Sequence, residues 1–393
     1  MNKLYFDYCA SAPLHPQVIH KLIDSSVNLY ANASSTHEMG FEVNRIIEAS
    51  RERIANVLHV KPSEVIFTSG ATESNNMAIL GVVRAYMKRT SQIPHLILSE
   101  VEHSSVYNCC KQLRDEGVEV TFLGVDRSGV VNPSALEKAI QDNTVLVSIM
   151  HVNNETGTIQ PVHEIGRLLK TKPAIQFHVD GVQGFGKANL DLEDIDLYTL
   201  SGHKMGGPKG IGILIAKEGV ELMPLMYGGN NEFGHRPGTT NVPGVVCLTE
   251  AVELSIAEQA EKTTYLTSLH HFIYSKLQSI PELIINTPEP PLSAPHIINF
   301  SYQNKGITSA IMISILAKKN IVVSSQSACS SKAKASRVLM AMTHNEEIAS
   351  SSIRLSLHES VSFEDAKYLV NSITEMIDQI KSTNKFQLLL HQK

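Results

Sequence analysis

Between Val65 and Ala216 the chain alternates short apolar, β-branched runs with segments of helical periodicity, and no other feature restricts its fold as tightly. The candidate strands are Val65–Phe67, Leu96–Ser99, Val120–Leu123, Val145–Met150, Ile175–Val179, Leu197–Leu200 and Gly212–Ala216. Helical patterns lie between them at Glu73–Arg84, Ser104–Glu116, Pro133–Ile140 and His163–Leu169. Strand–helix alternation of this kind predicts an α/β fold built on a largely parallel sheet. Past Ala251 the texture changes. A long helical pattern, roughly Glu250–Ile280, leads to Pro-Glu-Pro-Pro at 288–291. Strands are then predicted at His296–Ser301, Ile321–Ser324 and Ile353–Ser356, with helices near Ser309–Lys318 and Phe363–Lys381. This reads as a smaller α+β domain. The first fifteen residues read as extended and able to pack on either part.

Composition narrows the function classes. With 34 Lys and Arg against 39 Asp and Glu, the net charge is −5, which offers no polyanion-binding surface and argues against direct nucleic-acid binding. Five cysteines, Cys9, Cys109, Cys110, Cys247 and Cys329, are too sparse for a disulfide framework, and none is spaced as a zinc-binding CxxC. The N-terminus lacks the apolar core of a signal peptide. No stretch reaches the roughly 18 apolar residues of a membrane span. The expectation is a soluble, cytoplasmic protein with no membrane partner and no metal.

Three strand ends carry the chemistry. Ser201-Gly202-His203-Lys204 closes a strand with hydroxyl, imidazole and amine inside four residues, followed by a Gly/Pro-rich turn. A lysine there suits a Schiff base to a carbonyl cofactor that also carries a phosphate. By itself the segment also fits a surface lysine in a glycine turn. Phe67-Thr68-Ser69-Gly70-Ala71-Thr72-Glu73-Ser74-Asn75-Asn76 runs from strand into helix through small and hydroxyl residues, which suits phosphate but also suits an ordinary N-cap. Asp180 ends an apolar strand 24 residues before Lys204, where a carboxylate can pair with a protonated pyridine nitrogen or simply cap the next helix. Taken in order, the three fit pyridoxal 5'-phosphate. GxGxxG and the Walker lysine pattern are both missing, so nucleotide folds fit less well.

These motifs, with Ala33-Ser34-Ser35-Thr36-His37, Glu102-His103, Asn153-Asn154-Glu155-Thr156-Gly157, Arg236-Pro237-Gly238-Thr239, Ser327-Ala328-Cys329-Ser330-Ser331 and Ser352-Ile353-Arg354-Leu355-Ser356, give the chain a close resemblance to the cysteine desulfurases. Those are pyridoxal-phosphate enzymes of the class V aminotransferase superfamily, and the resemblance runs over nearly all of 1–375. It implies an aspartate-aminotransferase-like PLP-transferase fold: a large domain with a seven-stranded, mainly parallel sheet over 16–254, and a small domain from 1–15 and 255–393. It implies removal of sulfur from L-cysteine, giving L-alanine and a persulfide on Cys329. The sulfur then passes to an acceptor protein for iron-sulfur assembly, tRNA thiolation or cofactor synthesis. The alternatives are a class V aminotransferase or a selenocysteine or cysteine-sulfinate lyase.

Residue by residue, the resemblance makes Lys204 the cofactor lysine and base, Asp180 the pyridinium partner and Gln183 the ligand of the ring oxygen. His103 stacks on the ring, and Asn154 lies near the ring and the substrate carboxylate. Ala71, Thr72, Ser201 and His203 hold the phosphate. Thr239 reaches the partner subunit's phosphate in a homodimer, and Arg354 forks the substrate carboxylate. Cys329 supplies the thiolate, in a small, polar segment suited to carrying sulfur. The chain departs from the family's Ala-Thr-Thr-Pro-like run at Cys9-Ala10-Ser11-Ala12-Pro13, and again at His235 and at 358–361.

Overall fold

The computed structural model describes residues 3–303, 306–326 and 335–390, the last eight of these as backbone only. Seven strands form one sheet in the order Val65–Thr68, Gly212–Ala216, Leu197–Ser201, Gln176–Asp180, Thr144–Ser148, His95–Ser99, Glu119–Leu123. Every neighbouring pair is parallel except those made by Gly212–Ala216, which runs against both its neighbours. The expected α/β fold with a seven-stranded, mainly parallel sheet is therefore the one observed.

The inner strands read as largely apolar runs because both faces of the sheet are covered, whereas the edge strand Glu119–Leu123 is only half-buried. Phe67, Ile97, Val147, Phe177, Val179 and Ile213 point to one face, where Val43, Ile47 and Ile54 of helix Glu38–Leu58 and Leu248 and Val252 of helix Val242–Ala257 pack on them. Ile66, Leu96, Leu98, Leu146 and Leu214 face the other side. There they meet Met77 and Ile79 of helix Ala71–Arg89 and Val106, Cys110 and Leu113 of helix Ser104–Asp115. Parallel pairing places the carboxyl ends of these strands on one edge of the sheet.

A separate apolar cluster lies under a three-stranded antiparallel sheet, Ser352–Ser356, Ile297–Tyr302, Leu283–Ile285, and under helices Gln259–Gln278, Ser309–Lys318 and Phe363–Leu390. The N-terminal segment joins both parts. Leu4–Tyr5 pairs in parallel with Ile321–Val322 and Phe6 is buried in this second cluster, while Ala12 N–H donates to His203 O and His15 N–H to Gly206 O.

The single helix expected over 250–280 is two helices, Val242–Ala257 and Gln259–Gln278, meeting at Glu258. The first begins earlier than expected because Pro243 sits in its opening turn, where a missing N–H costs nothing, and Asn241 Oδ1 accepts from Gly244 N–H. Among the described residues no helix is long and apolar enough to cross a membrane.

Candidate active site

The carboxyl edge of the sheet opens into a cavity of about 430 Å³, the place where open α/β sheets hold ligands. Every residue singled out from the sequence lines it, except Thr239 and Cys329. Thr239 is exposed, in the loop before helix Val242–Ala257. Cys329 lies outside the described residues.

Helix Ala71–Arg89 starts at the cavity wall. Its N-cap is Gly70, whose φ of +147° strongly favours glycine, and no side chain caps the helix. The ordinary N-cap reading of this segment therefore fails: Thr68 Oγ1 and Ser74 Oγ bond each other at 2.7 Å instead. Strand Gly212–Ala216 passes so close that a Cβ on Gly212 would lie 2.7 Å from Gly70 Cα. The first-turn N–H groups, with Ser201 and His203 beside them in the cavity wall, form an anion cradle. His203 Nδ1 is buried without a partner, and burial together with Lys204 and Lys209 lowers its imidazole to about 4.

Lys204 ends the 3₁₀ turn Gly202–Lys204 that follows strand Leu197–Ser201. Its Nζ donates to the main-chain oxygens of Cys9 and, at 2.9 Å, Ala10. Burial lowers its ammonium to about 8, with the Cys9 thiol opposing the shift and Arg354 and Lys187 adding to it. A neutral amine is thus within reach near physiological pH.

Asp180 is buried at its strand end. Oδ2 accepts from Asn75 Nδ2 at 2.8 Å and Oδ1 from Val182 N–H at 3.1 Å. The same Asn75 amide donates to Ser105 Oγ at 2.8 Å, which in turn lies 2.8 Å from His103 Nδ1. Ser105 N–H also donates to that nitrogen, so Nδ1 is the acceptor and the ring proton sits on Nε2. Burial lowers the His103 pKa, against the pull of Asp180. Asn75 and Ser105 therefore tie the carboxylate to the imidazole. Asn75 falls within the helix-start motif read from the sequence, but nothing local revealed its link to Asp180.

Gln183 is already engaged in this structure. Its Nε2 donates to Cys9 O at 3.1 Å, and its Oε1 accepts from Cys9 Sγ at 3.5 Å and His296 Nε2 at 3.2 Å. Arg354, 1% exposed on strand Ser352–Ser356, donates to Asp7 Oδ1 at 2.6 Å, Ser324 Oγ at 2.9 Å and Asn154 O at 2.9 Å, and its Nε is left unpartnered. Asn154 is presented by a tight turn in which Asn153 Oδ1 accepts from the N–H groups of Glu155 and Thr156. Sequence reasoning missed Asp7 and Ser324, which hold the arginine. The other described cysteines besides Cys9 are inert packing. Burial pushes Cys109 up to about 12, Cys247 to about 11 and Cys110 well above its ordinary range.

The pattern of the aminotransferase class-V family matches residues 4–369. A protein of Dictyoglomus turgidum named cysteine desulfurase IscS is 38% identical over 390 residues, spanning 98% of this chain and 97% of the relative. The chain belongs to the cysteine desulfurase family of class-V aminotransferases. Solved structures of the family superimpose closely. One titled NifS-like protein gives a TM-score of 0.88 at 36% identity, covering 96% of this chain and 99% of the other. One titled SspA in complex with cysteine gives 0.78 at 34% identity, covering 90% and 98%. As a desulfurase-family enzyme, the chain has its cavity polar groups on both the large sheet and the segment that carries Arg354.

Proposed function

We propose that this enzyme is an L-cysteine desulfurase that works with pyridoxal 5'-phosphate and collects sulfur on Cys329. One observation carries the reading: a single cavity holds a lysine amine lowered to about 8, a buried carboxylate and an uncapped helix start. These groups match the cofactor's aldehyde, ring nitrogen and phosphate. The unpartnered His203 Nδ1 and Arg354 Nε are polar atoms that such a bound group and its substrate would satisfy. When bound, the cofactor supplies a carbonyl that condenses with amines and a ring that draws electrons from the substrate.

The chain's own residues do the rest. Lys204, freed from the Cys9 and Ala10 carbonyls, takes and returns the Cα proton. His103 presents its Nε2 proton toward the cavity, oriented by Ser105 and Asn75. Asp180 would hold positive charge at the ring nitrogen, and Ala71, Thr72, Ser201 and His203 would hold the phosphate. Gln183 would turn its Nε2–H from Cys9 O to the ring oxygen, while its Oε1 goes on accepting from His296 Nε2–H. Arg354 and Asn154 take the substrate carboxylate. In the overall exchange the C–S bond of cysteine breaks, its electron pair stays with carbon and is protonated, and sulfur bonds to the Cys329 thiolate. Alanine and a persulfide result, with no outside oxidant.

The enzyme works as a homodimer in which Thr239 completes the partner's phosphate site. Tyr227 and Phe233, exposed on the segment leading to Thr239, support an apolar contact there. The two separate apolar cores support a large domain at 16–254 and a small one from 1–15 and 255–393. Sulfur leaves to an acceptor protein, in the cytoplasm. Incubation with L-cysteine, with and without a thiol reductant, tests the reading. Equimolar alanine and reductant-released sulfide are expected, whereas a keto acid with no sulfide would establish transamination instead.

A further inference from the structure

A second cavity, of about 380 Å³, shares the N-terminal segment and Lys204 with the first. Cys9 and Ala10 line the first cavity, and Tyr8 and Ala12 through Pro16 line the second. Its walls are largely apolar, with Phe185, Met205, Leu254, Leu266 and Leu357 among them. Among its polar lining groups, Glu359 pairs with Lys262 and His358, while Lys187 has no ion-pair partner among the described residues and His296 keeps one unpartnered ring nitrogen.

Lys187 Nζ donates to the Lys204 main-chain oxygen at 3.3 Å and makes no ion pair among the described residues. Glu359, the acid of this cavity wall, is taken by Lys262 at 2.5 Å and by His358 at 3.3 Å. Burial holds the Lys187 ammonium below its ordinary range, the nearby but already paired Glu359 opposing the shift only in part. His296 is 2% exposed. Because Gln183 Nε2 donates to Cys9, Gln183 Oε1 must accept from His296 Nε2–H. Burial and the Lys187 charge keep the ring neutral, so Nδ1 presents a lone pair that has no partner.

We propose that this second cavity is a binding site for a free α-amino acid with an apolar side chain, its carboxylate on Lys187 and its ammonium on His296 Nδ1. A buried cation and a buried acceptor complement the two charges of a zwitterion, and the apolar walls take the side chain. The site stands on its own residues and does not require the cofactor reading to hold. It also gives an occupant a route to the catalytic lysine. Lys187 bonds the Lys204 main chain and opposes protonation of its amine, so a carboxylate on Lys187 would raise the Lys204 pKa.

L-leucine is the probe, titrated by calorimetry into full-length Arg354→Leu protein as purified, with absorbance of the first cavity followed in parallel. Removal of Arg354 suppresses carboxylate binding in the first cavity. A single saturable site with unchanged absorbance is expected. Adding Lys187→Met should weaken it by at least about tenfold, the loss of one charge-assisted bond. Thr263→Trp, which fills the cavity from helix Gln259–Gln278, should abolish it and covers the case of a Lys187 variant that does not fold. Absence of saturable binding in Arg354→Leu overturns the proposal, as does equal affinity with and without Lys187 or with the cavity filled.

Discussion

Lys204 is the residue on which the chemistry turns, and its surroundings set its proton affinity. With the amine lowered to about 8, condensation of added pyridoxal phosphate with the apoenzyme should speed up with pH and level off above about 8. Stopped-flow reconstitution across pH 6.5 to 10 checks this, and a midpoint near the ordinary lysine value of 10.5 would show that burial does not govern the amine. Lys204→Ala should abolish the yellow colour and borohydride trapping; trapping that persists would mean another lysine holds the cofactor. Arg354 offers a separate test. Hydrogen bonds to charged groups are worth about 1.5–3 kcal/mol, so Arg354→Leu should raise KM for cysteine roughly 10- to 150-fold, chiefly without loss of kcat. A KM within about threefold of wild type would contradict the assignment. Much of this site was legible because strand ends in a parallel sheet meet at one edge, so Ser201-Gly202-His203-Lys204, Asp180 and the Gly70 turn could be read separately and still converge. The Asp7–Arg354 pair was not legible. It joins residues 347 positions apart, and no local pattern marks it.

Among the elements, the inner strands were readable because burial of both sheet faces leaves them largely apolar, and the half-buried edge strand Glu119–Leu123 by its β-branched and aromatic residues. Helices Pro16–Asn28 and Glu38–Leu58 were not recognised. Each is capped by a histidine, His15 and His37, rather than by the usual Ser, Thr, Asp or Asn. The first also exposes Ile19, Ile23 and Val27, which blurs its apolar period. The meeting of strand Gly212–Ala216 with the Gly70 turn is the element contact most sensitive to mutation. In Gly212→Ala the new Cβ meets two backbone atoms at 2.7 Å, Gly70 Cα and Leu200 O, and neither can move as a side chain tip can. A stability loss of about 1–3 kcal/mol is expected, with weaker cofactor binding because the phosphate cradle is displaced. Urea titration and cofactor equilibrium dialysis read the two effects, and unchanged values in both would show that the approach is looser than described.

For the whole molecule, buried histidines give acid sensitivity a definite sign. His151, His178, His203 and His270 are each lowered by burial to about 4, so the folded chain binds fewer protons than the unfolded chain between pH 6.5 and 4. Their contribution is fully present above the unfolded value of 6.5 and is lost as pH falls toward 4. Glu102, raised by burial to about 8, acts in the opposite sense between 4.5 and 8, but it is one group against four. The urea midpoint should therefore fall from pH 7 to pH 5; a flat or rising midpoint would contradict the burial of these rings. The dimer is a second property of the whole molecule. Thr239 is exposed and away from its own cavity, so dilution to monomer should release cofactor, and sedimentation of a fully loaded, active monomer would reject the shared site.

The central claim is that sulfur passes from cysteine to Cys329. After a brief pulse of L-cysteine, mass spectrometry of the wild-type enzyme should find one additional sulfur on the peptide that carries Cys329. Cys329→Ser should keep its fold and colour but form neither persulfide nor sulfide above the buffer control, because a serine hydroxyl stays protonated where a thiol ionises. Release of alanine and sulfide by Cys329→Ser at near wild-type rate would contradict the mechanism.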